Sequence, residues 1–156
     1  MDSRKEDKGL QIQNLEFDQM TGALLKDPKY CQMKQYIQHG RCSTYDHCIA
    51  VAKLCFLWGR KLPIEVKEKE MVRGALLHDY YLYDWHNYDG KRHGFRHAKI
   101  AEKNASRDFS LSELEKEIIR CHMWPLNISS IPLCREALLV CLADKVVSTQ
   151  ETLFMR

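Results

Sequence analysis

The chain has 156 residues, 45% of them hydrophobic and 29% charged, with a formal net charge of +3. That composition supports one hydrophobic core. So small a charge, carried on scattered basic residues, argues against nucleic acid as the main partner, and no apolar run approaches the roughly 20 residues of a membrane span. The cysteines form no CxxC pair, and no secretory signal opens the chain. Cys48 and Cys55, and likewise Cys134 and Cys141, share a helix face by their spacing, as reduced and buried thiols do. A cytosolic protein is expected. With only 4 prolines and 7 glycines and no strand-like alternation, the expected fold is all-α, without an internal repeat or linker.

Residues 1–12 are polar and charged and read as a loose start. A helix carrying Leu15, Phe17, Met20, Leu24 and Leu25 follows and ends near Asp27. A second runs from Pro28 through Tyr30, Met33, Tyr36 and Ile37, with His39 and Gly40 as its stop and Gly40 at the C′ position. Ser43 or Thr44 caps a third, from Tyr45 to about Gly59, with His47 in its first turns. Its apolar residues, among them Val51, Ala52, Cys55 and Phe56, imply burial on more than one side. After the break at Leu62 and Pro63, Glu65 to about Tyr81 forms an apolar helix ending in the adjacent His78 and Asp79. Those two side chains leave the axis roughly 100° apart, a wedge in which one ion could be held.

Residues 80–94 are rich in aromatics, polar groups and turn formers. They read either as a loop pinned to the core or as a wall over a site. Within them Asp84 is a general acid, a hydroxyl anchor or a turn cap, and Trp85 is a stacking platform or a core plug. His86 and His93 could touch a substrate. The next helix runs from Phe95 to about Ser106 with His97 in its first turn. Ser110 or Ser112 caps the following one, and Ser112 with Glu115 makes a capping-box pattern. That helix buries Leu114, Ile118 and Ile119 and carries His122 in its last turn. A long helix from Pro132 to about Leu153 places Asp144 among Leu138, Leu139, Cys141, Leu142, Val146 and Val147. A buried carboxylate there needs a cation or hydrogen bonds.

Six polar residues thus sit on apolar helices: His47, His78, Asp79, His97, His122 and Asp144. Four imidazoles with two carboxylates suit a first-row divalent ion such as Fe, Mn, Co, Ni or Zn, and not calcium. Three segments carry a resemblance to the HD-domain superfamily of metal-dependent phosphohydrolases. These are His47 followed by Cys48-Ile49-Ala50-Val51-Ala52, the doublet in Ala75-Leu76-Leu77-His78-Asp79, and Leu142-Ala143-Asp144-Lys145. Arg96-His97-Ala98 and Arg120-Cys121-His122 further resemble its dinuclear members. The doublet's Asp-x-x-Leu-Tyr-Asp-Trp-His continuation and His122-Met123-Trp124-Pro125-Leu126 look like a little-characterised bacterial branch.

The resemblance implies a helical bundle of about six to eight helices around a central metal site. Residues 43–153 would be the HD core and residues 1–42 a helical extension packed on it, one domain in all. It implies one or two divalent transition-metal ions. His47, His78, Asp79 and Asp144 would hold the first, and Asp79 would bridge to a second on His97 and His122. The activity it implies is hydrolysis of a nucleotide or other small phosphorylated metabolite by a metal-activated water. Asp79, Asp84 and Lys145 would be catalytic, with Lys145 on a phosphate or paired with a carboxylate. Trp85 and His86 would meet the substrate, and Arg96, Lys99, Lys91 and Arg92 either complement its charge or are solvated surface. Two alternatives share the site: a di-iron oxygenase of the same superfamily, and a metal-stabilised module that binds without turnover. The segment after the doublet, Tyr80-Tyr81-Leu82, lacks the usual lysine. It also lacks the Glu-Asp of alarmone hydrolases, and the Gly-Tyr-Pro of cyclic-di-GMP phosphodiesterases is absent too.

Overall fold

The computed structural model describes residues 3–87 and 93–154. Seven α-helices account for most of them: α1 Ser3–Leu25, α2 Pro28–Cys31, α3 Thr44–Lys61, α4 Glu68–Leu77, α5 His93–Asp108, α6 Glu113–Cys121 and α7 Arg135–Phe154. A small antiparallel hairpin, β1 Ile37–His39 and β2 Cys42–Ser43, stands before α3. The all-α expectation holds for the bundle, with this hairpin as its one β element among the described residues. No helix of the described residues is long and apolar enough to cross a membrane.

Helices α3, α4, α6 and α7 pack on one another around the core, and α5 lies on α6. Ser43 caps α3, accepting the Asp46 amide at 3.1 Å. The capping box at α6 is complete, with Glu115 N to Ser112 Oγ at 3.2 Å and Ser112 N to Glu115 Oε2 at 2.9 Å. The same Glu115 carboxylate accepts Arg73 Nη1 of α4 at 2.7 Å, so one side chain both caps α6 and ties it to α4. Higher along that contact, a Cβ on Gly74 would stand 2.9 Å from the Ile118 side chain. Only glycine lets the two helices approach this closely.

Several boundaries differ from the sequence reading. Helix α1 begins at Ser3, because its Lys, Glu and Gln residues are good helix formers, and Leu15 faces outward while Phe17 packs edge-on against Phe56 at 5.5 Å. The helix from Pro28 stops early. A 3-10 turn over Gln32–Gln35 ends it, and Ile37–His39 becomes a strand across from Cys42–Ser43. Gly40 is left-handed, at φ 55°, but it turns the hairpin and does not close a helix. Helix α4 starts at Glu68, three residues late, where Glu136 accepts the Lys67 amide at 2.8 Å. Helix α7 starts at Arg135, preceded by Cys134, whose sulfur accepts the Ala137 amide at 3.5 Å. Leu138, Leu142 and Val146 are 39–43% exposed, so the apolar run there has an open outer face.

The seven cysteines carry no disulfide, and five of them are buried.

Candidate metal centre

Helices α4 and α6 end alike. His78 caps the C-terminus of α4 and His122 that of α6, each with helical backbone angles. Each Nδ1–H donates back to the carbonyl three residues earlier, His78 to Ala75 O and His122 to Ile119 O, both at 2.7 Å. That bond commits Nδ1 and turns Nε2 inward as the nitrogen available to an ion. Both histidines lie one turn beyond the Gly74–Ile118 contact, so the close helix approach delivers their rings to a centroid distance of 4.8 Å. His47 enters from the first turns of α3. Its Nδ1 lies 2.9 Å from Glu151 Oε2, and its Nε2 lies 3.1 Å from Asp144 Oδ1, both on α7. His97 comes from α5, with Nε2 at 2.9 Å from His122 Nε2.

Asp79 stands in the middle, and its two oxygens divide the imidazoles. Oδ1 lies 3.3 Å from both His97 Nε2 and His122 Nε2. Oδ2 lies 3.5 Å from His78 Nε2 and 3.8 Å from His47 Nε2. Asp144 Oδ1 completes the second group, 3.6 Å from His78 Nε2. Donors about 2.0–2.2 Å from one ion stand about 3.0–3.5 Å from each other, so both groups are close to ligand spacing. Two further observations fit an ion. His78 Nε2 and Asp79 Oδ1 are buried without any hydrogen-bond partner, a costly arrangement that coordination would relieve. The sets His47, His78, Asp144 and His78, Asp79, His122 each bring their donor atoms within 4.8 Å of one another.

Charge tells the same story. Burial alone would lower the His47 pKa, but the Asp144 and Glu151 carboxylates outweigh it and push it up to about 10. Burial likewise opposes a proton on His78, yet the Asp79 charge and its other neighbours hold it well above the ordinary value. Asp79 and Asp144 move the opposite way. Burial would raise both, and the imidazoles against them keep them well below the usual carboxylate range. Without metal, the cation these carboxylates need is therefore a protonated imidazole. His122 falls below its ordinary value because burial dominates.

A cavity of about 350 Å³ opens onto the cluster, lined by Gln38, His39, Asp79, Trp85, Gly94, His97, His122, Met123, Leu126, Asp144, Lys145 and Ser148. The aromatic segment divides in two. Tyr80 and Tyr81 are fully buried pins, and Leu82 at φ 58° turns the chain out so that Trp85 reaches the cavity wall.

The six expected ligands are all brought together, and Trp85 and Lys145 line the cavity beside them; Asp84, His86, Arg96 and Lys99 do not. Asp84 is exposed and caps the 3-10 helix Trp85–Asn87, accepting the His86 amide at 3.0 Å and Asn87 Nδ2 at 2.6 Å. That is the turn-cap role, off the cavity wall. His86 is exposed and lies against Trp85, with ring centroids 3.9 Å apart and the planes tilted by 31°. Arg96 and Lys99 are exposed on α5 and do not line the cavity. Lys145 does line it, but its ammonium donates to His122 O at 3.0 Å, Cys141 O at 3.3 Å and Cys141 Sγ at 3.2 Å. These contacts bind α7 to the end of α6 in place of the carboxylate pairing. Lys91 and Arg92 lie outside the described residues, as does the His93 side chain.

Sequence reasoning missed Glu151, Gln38 and Ser148. Ser148 Oγ donates to Asp144 Oδ1 at 3.2 Å, and Glu151 follows Asp144 by two turns on the same face of α7. That spacing was the available signal.

Such a bundle, with a buried histidine–aspartate cluster that could hold a metal ion, defines an all-α class. The chain belongs to the HD domain family, whose model matches residues 44–148. No curated protein and no solved structure matches it.

Proposed function

We propose that the protein is a metal-dependent phosphohydrolase acting on a nucleotide or another small phosphorylated metabolite. One observation carries this: the two Asp79 oxygens face separate imidazole pairs, as suits a carboxylate that would share two ions between its oxygens. His47, His78, Asp144 and Asp79 Oδ2 would hold the first divalent transition-metal ion, and His97, His122 and Asp79 Oδ1 the second. Bound there, such ions lower the pKa of a coordinated water toward neutrality and draw charge from a phosphoryl oxygen. Glu151 would hold His47 in the ligating tautomer through Nδ1. Trp85, Met123 and Leu126 give the cavity an apolar wall that would take the organic part of the substrate and limit water.

The test is phosphate release from a panel of nucleotides and small phosphomonoesters by metal-free protein reloaded with Mn, Fe, Co, Ni, Mg or Zn. Metal-dependent release that chelator abolishes and Asp79→Ala lacks supports the proposal. No release with any ion across the panel sinks it. A di-iron oxygenase is the second reading, and one observation favours it. Among the described residues the cavity wall has no uncommitted cation for a phosphate, since Lys145 is spent on carbonyls. Substrate-dependent oxygen uptake by iron-loaded protein would decide for it.

A further inference from the structure

The hairpin before α3 sends one side chain into the metal cluster. The pairing of β1 is irregular between Ile37 and His39: Ile37 faces out, Gln38 is 8% exposed, and His39 lies half-buried at the cavity. The hairpin is tied to the start of α3 by Thr44 N to Tyr36 O at 2.8 Å, so its register is fixed relative to His47. Gln38 Nε2 donates to Asp79 Oδ2 at 2.6 Å. On its other side Oε1 accepts the Tyr81 hydroxyl and, at 3.4 Å, the Thr44 hydroxyl. Hydroxyl donors on one end and a carboxylate on the other leave a single way round for the amide.

A carboxylate turns easily about its last bond, because that torsion has no sharp wells. Left to itself, Asp79 could swing both oxygens onto one ion. A donor fixed on Oδ2 prevents this. It keeps Oδ2 on the His47 and His78 side and leaves Oδ1, which has no hydrogen-bond partner, facing His97 and His122. Oδ2 has a second lone pair, so accepting from Gln38 does not stop it from ligating.

We infer that Gln38, outside the matched segment 44–148, is a positioning residue that makes Asp79 a bridge between two ions. This rests on the two-ion reading above. Loss of its N–H should weaken the second ion more than the first, by about 10–100-fold. Gln38→Met removes the N–H at nearly the same length, and Tyr81→Phe removes a hydroxyl that orients the amide.

The experiment loads wild type and both variants with Mn(II), then measures bound manganese at graded free concentrations and records electron paramagnetic resonance. Wild type should bind two ions with an exchange-coupled signal. Gln38→Met should keep the first ion and wild-type circular dichroism while giving an isolated-ion spectrum at limiting manganese. Tyr81→Phe should shift the second affinity the same way, by less. A Gln38→Met protein that binds both ions as tightly as wild type, with the coupled signal, overturns the inference and leaves the two-ion reading standing. Equal loss of both ions also overturns it, by marking Gln38 as structural. If wild type binds no more than one ion, both fall. Should Gln38→Met fail to fold, Gln38→Asn, which keeps the amide but falls short of Oδ2, is read by the same two measurements.

Discussion

His78 and His122 hold matching positions on two helices that touch at a glycine. Each sits one turn past the Gly74–Ile118 contact, each closes its helix, and each spends Nδ1 on the carbonyl three residues back. The approach of α4 and α6 therefore sets where these two rings of the histidine–aspartate cluster stand.

That dependence makes Gly74→Ala informative. The added methyl would meet Ile118 Cδ1 and Cγ2 at 2.9 Å, and Ile118 is fully buried, with no room to retreat. Overpacking of this kind costs about 1–3 kcal/mol, against about 1 kcal/mol that alanine returns in helix propensity. We expect a melting temperature lower by a few degrees and weaker metal binding, both partly restored in Gly74→Ala/Ile118→Val. An unchanged melting curve with unchanged metal affinity would detach the site from this contact.

Acidity of the metal-free protein follows from the shifted groups. His47 is raised from about 6.5 to about 10, so the stability it contributes is complete below about pH 6.5 and disappears as pH rises toward 10. Asp79 and Asp144 are lowered, so theirs is present above about pH 4 and is lost as pH falls through the depressed values. With chelator present, His47, Asp79 and Asp144 together favour the folded state most between about pH 4 and 6.5, and thermal stability should fall as pH rises from 6.5 toward 10. Metal must displace the His47 proton, so metal affinity should climb over the same 6.5–10 range that weakens the metal-free protein. Titrations of melting temperature and of metal affinity against pH check both slopes. A flat metal affinity across that range would contradict displacement of a His47 proton by the ion.

Glu151 is the carboxylate behind His47, and Cys42 Sγ lies 3.3 Å from its other oxygen. In Glu151→Gln the first ion should bind about tenfold more weakly, as loss of such a partner usually costs. The second ion should be affected less. Competition against a chelator of known affinity measures both. Equal weakening of the two would place Glu151 outside the His47 group.

Much of this was legible beforehand, and the reasons differ by residue. Ser43 and the Ser112–Glu115 box announced α3 and α6, because capping is local chemistry. The six polar residues stood out because each interrupts an apolar face. Gln38 did not. Tyr30, Met33, Tyr36 and Ile37 have helical spacing, and a strand of three residues is too short for alternation to show. Its structure comes from pairing with Cys42 and Ser43, which is tertiary. Lys145 and Asp84 were seen as charges near the site, but sequence does not say which carbonyl or amide a side chain will find.

Lys145 and Asp84 now predict modest effects. Lys145→Met removes an ammonium bound to the His122 carbonyl, so it should cost stability, about 1.5–3 kcal/mol, with KM for any phosphoester substrate changed little. Asp84→Ala should leave kcat within about twofold, since it frays a surface 3-10 turn. Steady-state kinetics with thermal melts separate these outcomes. A KM rise of tenfold or more in Lys145→Met, without loss of stability, would return Lys145 to the phosphate.

The most direct measurement is bound metal in wild type and His97→Ala, by elemental analysis after reloading metal-free protein with one ion at a time. Asp79 gives Oδ2 to the His47 and His78 side and Oδ1 to the His97 and His122 side. Wild type should therefore hold two ions, His97→Ala one with its helical content intact, and Asp79→Ala close to none. Wild type that binds no transition metal under any condition, or His97→Ala that keeps both ions, would contradict a shared carboxylate at the centre of this fold.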